Sequence, residues 1–199
     1  MKKILFQLIA GCFMASIFSS CNLFGLDLQK DFEYEYSPVE LTMDMSAYAF
    51  IESRKNMDMS LLYDAITLAG YQQEYEIDDR TFIILNDVAF TSYLKDNRYS
   101  GLQAMKVEDI KTLLNSYIVK GRYHSLDLTT TPVKVETMNP DAIMYLSLRP
   151  QNNDAQNKFE VRINDVVNSG KVVSVVTSNL QPNNGIMHVV DAYPEYKLK

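Results

Sequence analysis

Residues 183–193 read NNGIMHVVDAY, and how this run folds decides the architecture. Ile186 to Val190 is an unbroken apolar stretch except for one histidine, the second of only two in the chain. In an extended strand Ile186, His188 and Val190 share one face, while Met187, Val189 and Asp191 share the other. Both faces are then mainly apolar, which is the pattern of a central strand, and a histidine there is expected neutral, with a backbone or hydroxyl partner. Asn184 and Gly185 are both able to take positive φ and are expected to form the turn leading into the strand. His188 and Asp191 are an odd number of residues apart, so on a strand they point to opposite faces and make no local acid–base pair.

The second run of this kind is TFIIL at 81–85, bounded by polar residues on both sides and β-branched or aromatic up to the closing Leu85, as in a strand buried on both faces. Asn86 or Asp87 can cap a helix directly after it, with Phe90, Tyr93 and Leu94 along one face. Upstream, residues 44–55 carry Ala47, Phe50, Ile51 and Arg54 at helical spacing. A second helix is expected over 60–69, started by Asp58 or Ser60 and stopped by Gly70. Downstream, Val107, Ile110, Leu114 and Tyr117 form the stripe of a helix over 107–117, followed by a short strand at Ile118-Val119 and a break at Lys120-Gly121. Beyond Ser125 the helical period gives way to short strand-like runs at 133–137, 142–148, 159–163, 172–176 and 186–190, separated by turns rich in Asn, Pro and Gly. Helices first and strands afterwards predict an α+β fold, not an alternating one, in one domain without internal repeats.

Three blocks in this order resemble the fasciclin (FAS1) domain. TFIILNDVAF (81–90) is similar to that family's first signature, of the form TVFAPTNEAF. LLNSYIVKGRYHSLDL (113–128) is similar to its central leucine-rich helix and following strand, and NNGIMHVVDAY to its closing NGVIHVIDxVL signature, the most specific of the three. The resemblance implies a helical N-terminal half packed on a wedge of short strands over residues 45–196, leaving 197–199 as a tail. It also implies a secreted or surface-anchored adhesion module, whose signature positions here are Asn86, Asp87, Gly121, Asn184, Gly185, His188 and Asp191. Ile84-Leu85-Asn86 replaces the family's Ala-Pro-Thr, which keeps a helix cap and loses the proline. The family's Tyr-His pair, associated with integrin binding in animal members, falls on Ser116 and Tyr117, and its proline on Lys120. Integrin recognition therefore does not carry over, and His124, seven residues further on, is no replacement.

The chain opens MKKILFQLIAGCFMASIFSSC, with Lys2 and Lys3 ahead of an apolar run and Ser19-Ser20 directly before Cys21. This is a secretory signal pattern, and small residues before a cysteine resemble a bacterial lipobox, so residues 1–20 are expected to leave and Cys21 to carry lipid. Ile9-Ala10-Gly11-Cys12 also fits that box. Cleavage before Cys12 leaves an apolar core of about six residues, below the usual ~7 to 15, and strands the apolar FMASIF run, so Cys21 is preferred. Residues 21–44 then form a tether, no cysteine pair remains, and the domain relies on its apolar core. Loss of Lys2 and Lys3 makes an already acidic chain, of formal charge −6, more acidic still. Such a surface repels nucleic acid, so the membrane contact expected is the lipid on Cys21, in the envelope of a Gram-negative-like bacterium with the outer membrane as its seat.

No nucleophile-elbow glycine pattern, processed free cysteine or motif around either histidine points to catalysis. Two separated histidines are a poor metal site, and no cofactor is implied. His124 and Asp127 repeat the spacing of His188 and Asp191 with the same weakness. Arg122, Tyr123 and His124 after Gly121 are a candidate recognition patch, since arginine and aromatic side chains dominate binding hot spots; a solvated strand edge is the plainer reading. Tyrosine is abundant and tryptophan absent, which disfavours a dedicated glycan-stacking module. The expected function is a non-enzymatic binding module for an unidentified protein or glycan at the cell surface, in adhesion or protein–protein contact. The alternative is an accessory subunit of an outer-membrane polysaccharide or nutrient uptake system.

Overall fold

A computed structural model describes residues 42–150, 158–168, 171–195 and 197–198. Cys12, Cys21, the signal and nearly all of the expected tether lie outside the described residues.

The strand β1 (Thr42–Met43) leads into α1 (Ala47–Ser53), α2 (Ser60–Ala69), β2 (Arg80–Leu85), α3 (Asp87–Asp96), α4 (Val107–Ser116) and β3 (Ile118–Lys120). Seven strands follow: β4 (Val133–Glu136), β5 (Ala142–Pro150), β6 (Phe159–Ile163), β7 (Val173–Ser174), β8 (Thr177–Pro182), β9 (Gly185–Val190) and β10 (Lys197–Leu198). This is an α+β order, with helices in the first half and strands in the second.

One sheet runs β1-β8-β9-β2-β3. In the other, β5 is the hub, antiparallel to β4, β6 and β10, with β7 beyond β6. The two meet where Thr137 bridges Val119 and the Met138 N–H donates to the Ile118 carbonyl. β9 is the middle strand of the first sheet, antiparallel to β8 and parallel to β2, with Ile83 opposite His188. All six β9 residues and five of six in β2 are buried. On one face Phe82 stacks on Tyr75 at 5.3 Å between ring centroids.

Local chemistry sets the element ends. α1 begins later than its periodicity suggests because Ser46 caps it, its hydroxyl accepting from the Ala49 N–H at 3.1 Å. Gly70 closes α2 in the left-handed region at φ 64°. Neither Asp58 nor Ser60 caps the start of α2. Both Asp58 carboxylate oxygens accept from Arg54, and the cap comes from Asp87, which takes the Leu61 N–H at 2.9 Å and the Ser60 hydroxyl at 2.7 Å. Asn86 caps α3 as expected, accepting from Ala89 N–H. In α4, Val107 is exposed, and Leu113 joins Ile110 and Leu114 in the core in its place.

Two strand expectations change. The run at 172–176 is strand only at Val173–Ser174, with the Val175 and Val176 N–H groups donating to the Val161 and Val189 carbonyls beyond it, and the Asn- and Pro-containing stretch after it, expected as a turn, is β8. β8 survives that composition because its ladder to β9 is irregular between Thr177 and Leu180, where Asn179 sits at φ 61°. Thr42–Met43, within the expected tether, pairs in parallel with Gln181 and Pro182.

Candidate binding site

After β3 the chain turns at Gly121, whose φ of 87° favours glycine, and residues 121–127 are fastened onto the first sheet. The Gly121 N–H donates to the Asp79 carbonyl, and the Thr81 hydroxyl donates to the Gly121 carbonyl while accepting from the Tyr123 N–H, both at 2.8 Å. The next attachment is His188. The backbone N–H of Asn179 approaches Nδ1 at 3.4 Å, so Nδ1 carries the lone pair, and Nε2–H donates to the Tyr123 carbonyl at 2.9 Å. Both ring nitrogens are thus engaged on a side chain with no solvent exposure. Burial, chiefly, brings the imidazole down to about 4, with the nearby His124 adding to the depression and the Tyr123 carbonyl opposing it.

Asn179 supplies the third attachment. Its amide oxygen accepts from the Ser125 N–H at 2.8 Å and its amide nitrogen donates to the Ser125 hydroxyl. The bulge at Asn179 re-aims this side chain out of the ladder. Sequence reading missed Asn179 and Thr81; an Asn inside an apolar-to-polar run near a strand, able to take positive φ, was the available signal.

Arg122, Tyr123 and His124, read as a strand edge, lie outside any strand, and Ser125–Asp127 after them is one turn of 3-10 helix. Its N-terminal end is closed by a reciprocal pair: His124 Nδ1 accepts from the Leu126 N–H at 3.1 Å, and the Asp127 carboxylate accepts from the His124 N–H at 3.3 Å. His124 and Asp127 therefore do meet, contrary to the strand-based expectation, through backbone capping and not as an imidazole–carboxylate pair. Arg122 is exposed, with its guanidinium donating to the Gly185 carbonyl at 3.1 Å; Tyr123 and His124 are half-buried. Leu126, which sequence reading did not single out, is 74% exposed on the same turn.

The remaining signature residues are spread through the fold. Asn184 is buried and ties α1 to the segment around residues 75–77: its amide oxygen accepts from the Ala47 N–H, and its amide nitrogen donates to the carbonyls of Tyr75 and Ile77. Neither Asn184 nor Gly185 takes positive φ, so the reason for these residue types is different from the one expected. A Cβ on Gly185 would lie 2.5 Å from the Arg80 carbonyl oxygen, which makes the requirement at 185 one of space. Asp191 is exposed beyond the end of β9.

The pattern of a buried β2–β9 pair, a capped helix after β2 and a closing NGIMHVVD strand is matched by the family model for the fasciclin domain over residues 57–193. The chain belongs to the fasciclin family. Among solved structures, a FAS1 domain pair from the insect cell adhesion molecule fasciclin I is similar at 17% identity and a TM-score of 0.45, over 74% of this chain and 44% of that one. The chain thus spans less than half the length of that structure. No curated protein matches the chain. Among the described residues of this fasciclin domain no helix is long and apolar enough to cross a membrane, and no group of three or more His, Cys, Asp and Glu could hold a metal ion.

Proposed function

We propose that this fasciclin domain is a non-enzymatic binding module, held at a bacterial cell envelope by lipid on Cys21, that presents residues 122–127 to a protein partner in adhesion or surface assembly. The observation that carries this reading is the engagement of both nitrogens of His188. The central histidine is spent on fixing a surface connection to the sheet, which leaves Arg122 and Leu126 outward on a rigid support. Recognition residues on short connections positioned by a rigid scaffold are the usual arrangement of binding modules. The acidic charge favours protein over nucleic acid.

Two experiments test it. Cys21→Ser should move the protein from the membrane fraction to the soluble one; unchanged membrane association removes the anchor from the proposal. An array of extracellular-matrix proteins and microbial and host glycans, probed with the full chain and with Arg122→Ala and Leu126→Ser, should give selective protein binding that both variants weaken. Glycan-only binding, or co-purification with an outer-membrane transporter, would move the role to nutrient capture.

A further inference from the structure

A second surface lies at the opposite end of the parallel pair. α3 follows the C-terminal end of β2, and residues 191–195 follow the C-terminal end of β9. Between them runs a groove of about 290 Å³ whose walls include Tyr93, Asp96, Tyr117, Tyr193 and Glu195. Tyr117 and Tyr193 are buried and Tyr93 half-buried, while Asp96 and Glu195 are exposed at the rim. Tyr93 and Tyr193 meet edge to face, 5.4 Å between centroids at 87°. The Tyr117 hydroxyl donates to the Pro194 carbonyl at 2.7 Å and so fixes the chain that carries Glu195.

Three features give this groove one electrostatic sign. The charged side chains among its walls, Asp96 and Glu195, are both carboxylates. The C-terminal turn of the ten-residue α3 opens into it, where the helix presents partial negative charge. Aromatic ring faces carry negative quadrupolar potential. The molecule already places a cation here: the Lys171 ammonium lies 4.8 Å from the centroid of the Tyr193 ring. Burial first, then the hydrogen bond to Asp96 and the charges of Asp96 and Glu195, push the Tyr193 hydroxyl up to about 12, so it stays a donor, and it donates to Asp96 Oδ2 at 2.9 Å. Asp96 Oδ1 remains for a second donor. One ammonium against two carboxylates leaves the groove negative.

We propose that this groove receives a lysine or arginine side chain from a partner protein, its cation seated between the carboxylates of Asp96 and Glu195 beside the Tyr193 ring. The inference rests on the binding-module reading but uses a surface separate from residues 122–127, so variants on the two surfaces fail independently. A neutral sugar is the weaker match, because the charged side chains on the groove's walls are carboxylates and the Tyr193 ring already meets the Lys171 ammonium.

The test is an NMR titration of the full chain with the capped tripeptide Gly-Arg-Gly and its citrulline counterpart, which keeps the shape and removes the charge. The expected result is saturable shifts at residues 93–97 and 193–195 with arginine and none with citrulline. Asp96→Asn, which keeps an acceptor for Tyr193, and Glu195→Gln should each weaken binding about two- to fivefold, the worth of a half-exposed ion pair. Lys171→Ala, which removes the resident ammonium, should strengthen it. The proposal is overturned by equal response to citrulline, by shifts spread over the acidic surface, or by arginine affinity that survives both carboxylate substitutions together.

Discussion

The Nε2 of His188 and the carbonyl oxygen of Tyr123 lie 2.9 Å apart across 65 residues of sequence, and this contact ties the middle of the sheet to a surface connection. Two backbone groups, Tyr123 C=O and Asn179 N–H, depend on one imidazole. A buried backbone group without a partner costs free energy comparable to a lost hydrogen bond.

His188→Ala should therefore destabilise the domain by about 3 kcal/mol, the sum of a large-to-small cavity and two orphaned backbone groups after partial relaxation. His188→Gln, whose amide can still donate toward Tyr123, should cost less. Urea unfolding followed by circular dichroism reads both, and an alanine variant within 0.5 kcal/mol of wild type, on the order of an ordinary surface change, would contradict the role assigned to the ring.

The same histidine sets an acid dependence. Its folded value of about 4 lies below the ordinary 6.5 of a solvent-exposed imidazole, so between these limits the unfolded chain binds a proton that the folded chain refuses. Stability is then level above about 6.5, falls as pH drops toward about 4 with a slope of up to about 1.4 kcal/mol per pH unit, and levels again below. The integrated loss is up to about 3 kcal/mol by the same linkage. Measured as the difference between wild type and His188→Gln, the loss should occupy that window; a flat difference from pH 7 to 4 would mean that the ring is protonated in the fold.

What the sequence made legible follows the range of the interactions. TFIIL and IMHVV read correctly because burial on both faces leaves no polar alternation, and Asn86 and Gly70 because capping and the left-handed turn are local. β8 and the start of α2 did not, because both are settled from a distance. β8 holds its polar residues through pairing to β9 and contacts to Ser125, and α2 is capped by a carboxylate 26 residues away from Leu61. Asn184 was legible as a signature position, yet its three hydrogen bonds to elements 107 to 137 residues away replace the turn geometry expected of it. The groove beside Tyr193 joins α3 to a segment that begins nearly a hundred residues later, and no local pattern marks it.

Gly185 and Gly121 are required for different reasons, and alanine should separate them. At 185 the added carbon meets Arg80 backbone at 2.5 Å and the Phe82 ring at 2.9 Å in a central parallel pair, so strands must part. At 121 the nearest atom is 3.6 Å away, and only the φ of 87° is unfavourable. Gly121→Ala should cost about 1–2 kcal/mol, the left-handed penalty of an L-residue. Gly185→Ala should cost more than that and lower the amide protection of β2. The reverse order in thermal unfolding would refute the spatial argument for 185.

Asp87 and Asp58 offer the sharpest contrast between sequence expectation and observed contact. Asp58 stands where a cap for α2 is expected, but its carboxylate pairs with Arg54 at 2.7 Å on side chains 33% and 43% exposed, a geometry worth about 0–1 kcal/mol. Asp87 starts its own helix, donates its N–H to the Asp58 carbonyl and caps α2 with both carboxylate oxygens. Asp87→Ala should thus cost about 1–2 kcal/mol, and Asp87→Asn less, since one acceptor survives without the charge that favours a helix N-terminus. Asp58→Ala should change stability by under about 1 kcal/mol, with the loss reduced further at high salt. Hydrogen exchange distinguishes the two sites: Asp87→Ala should release the Leu61 amide at the head of α2, whereas Asp58→Ala should leave it protected. A Leu61 amide released by Asp58→Ala and protected in Asp87→Ala would return the cap to Asp58.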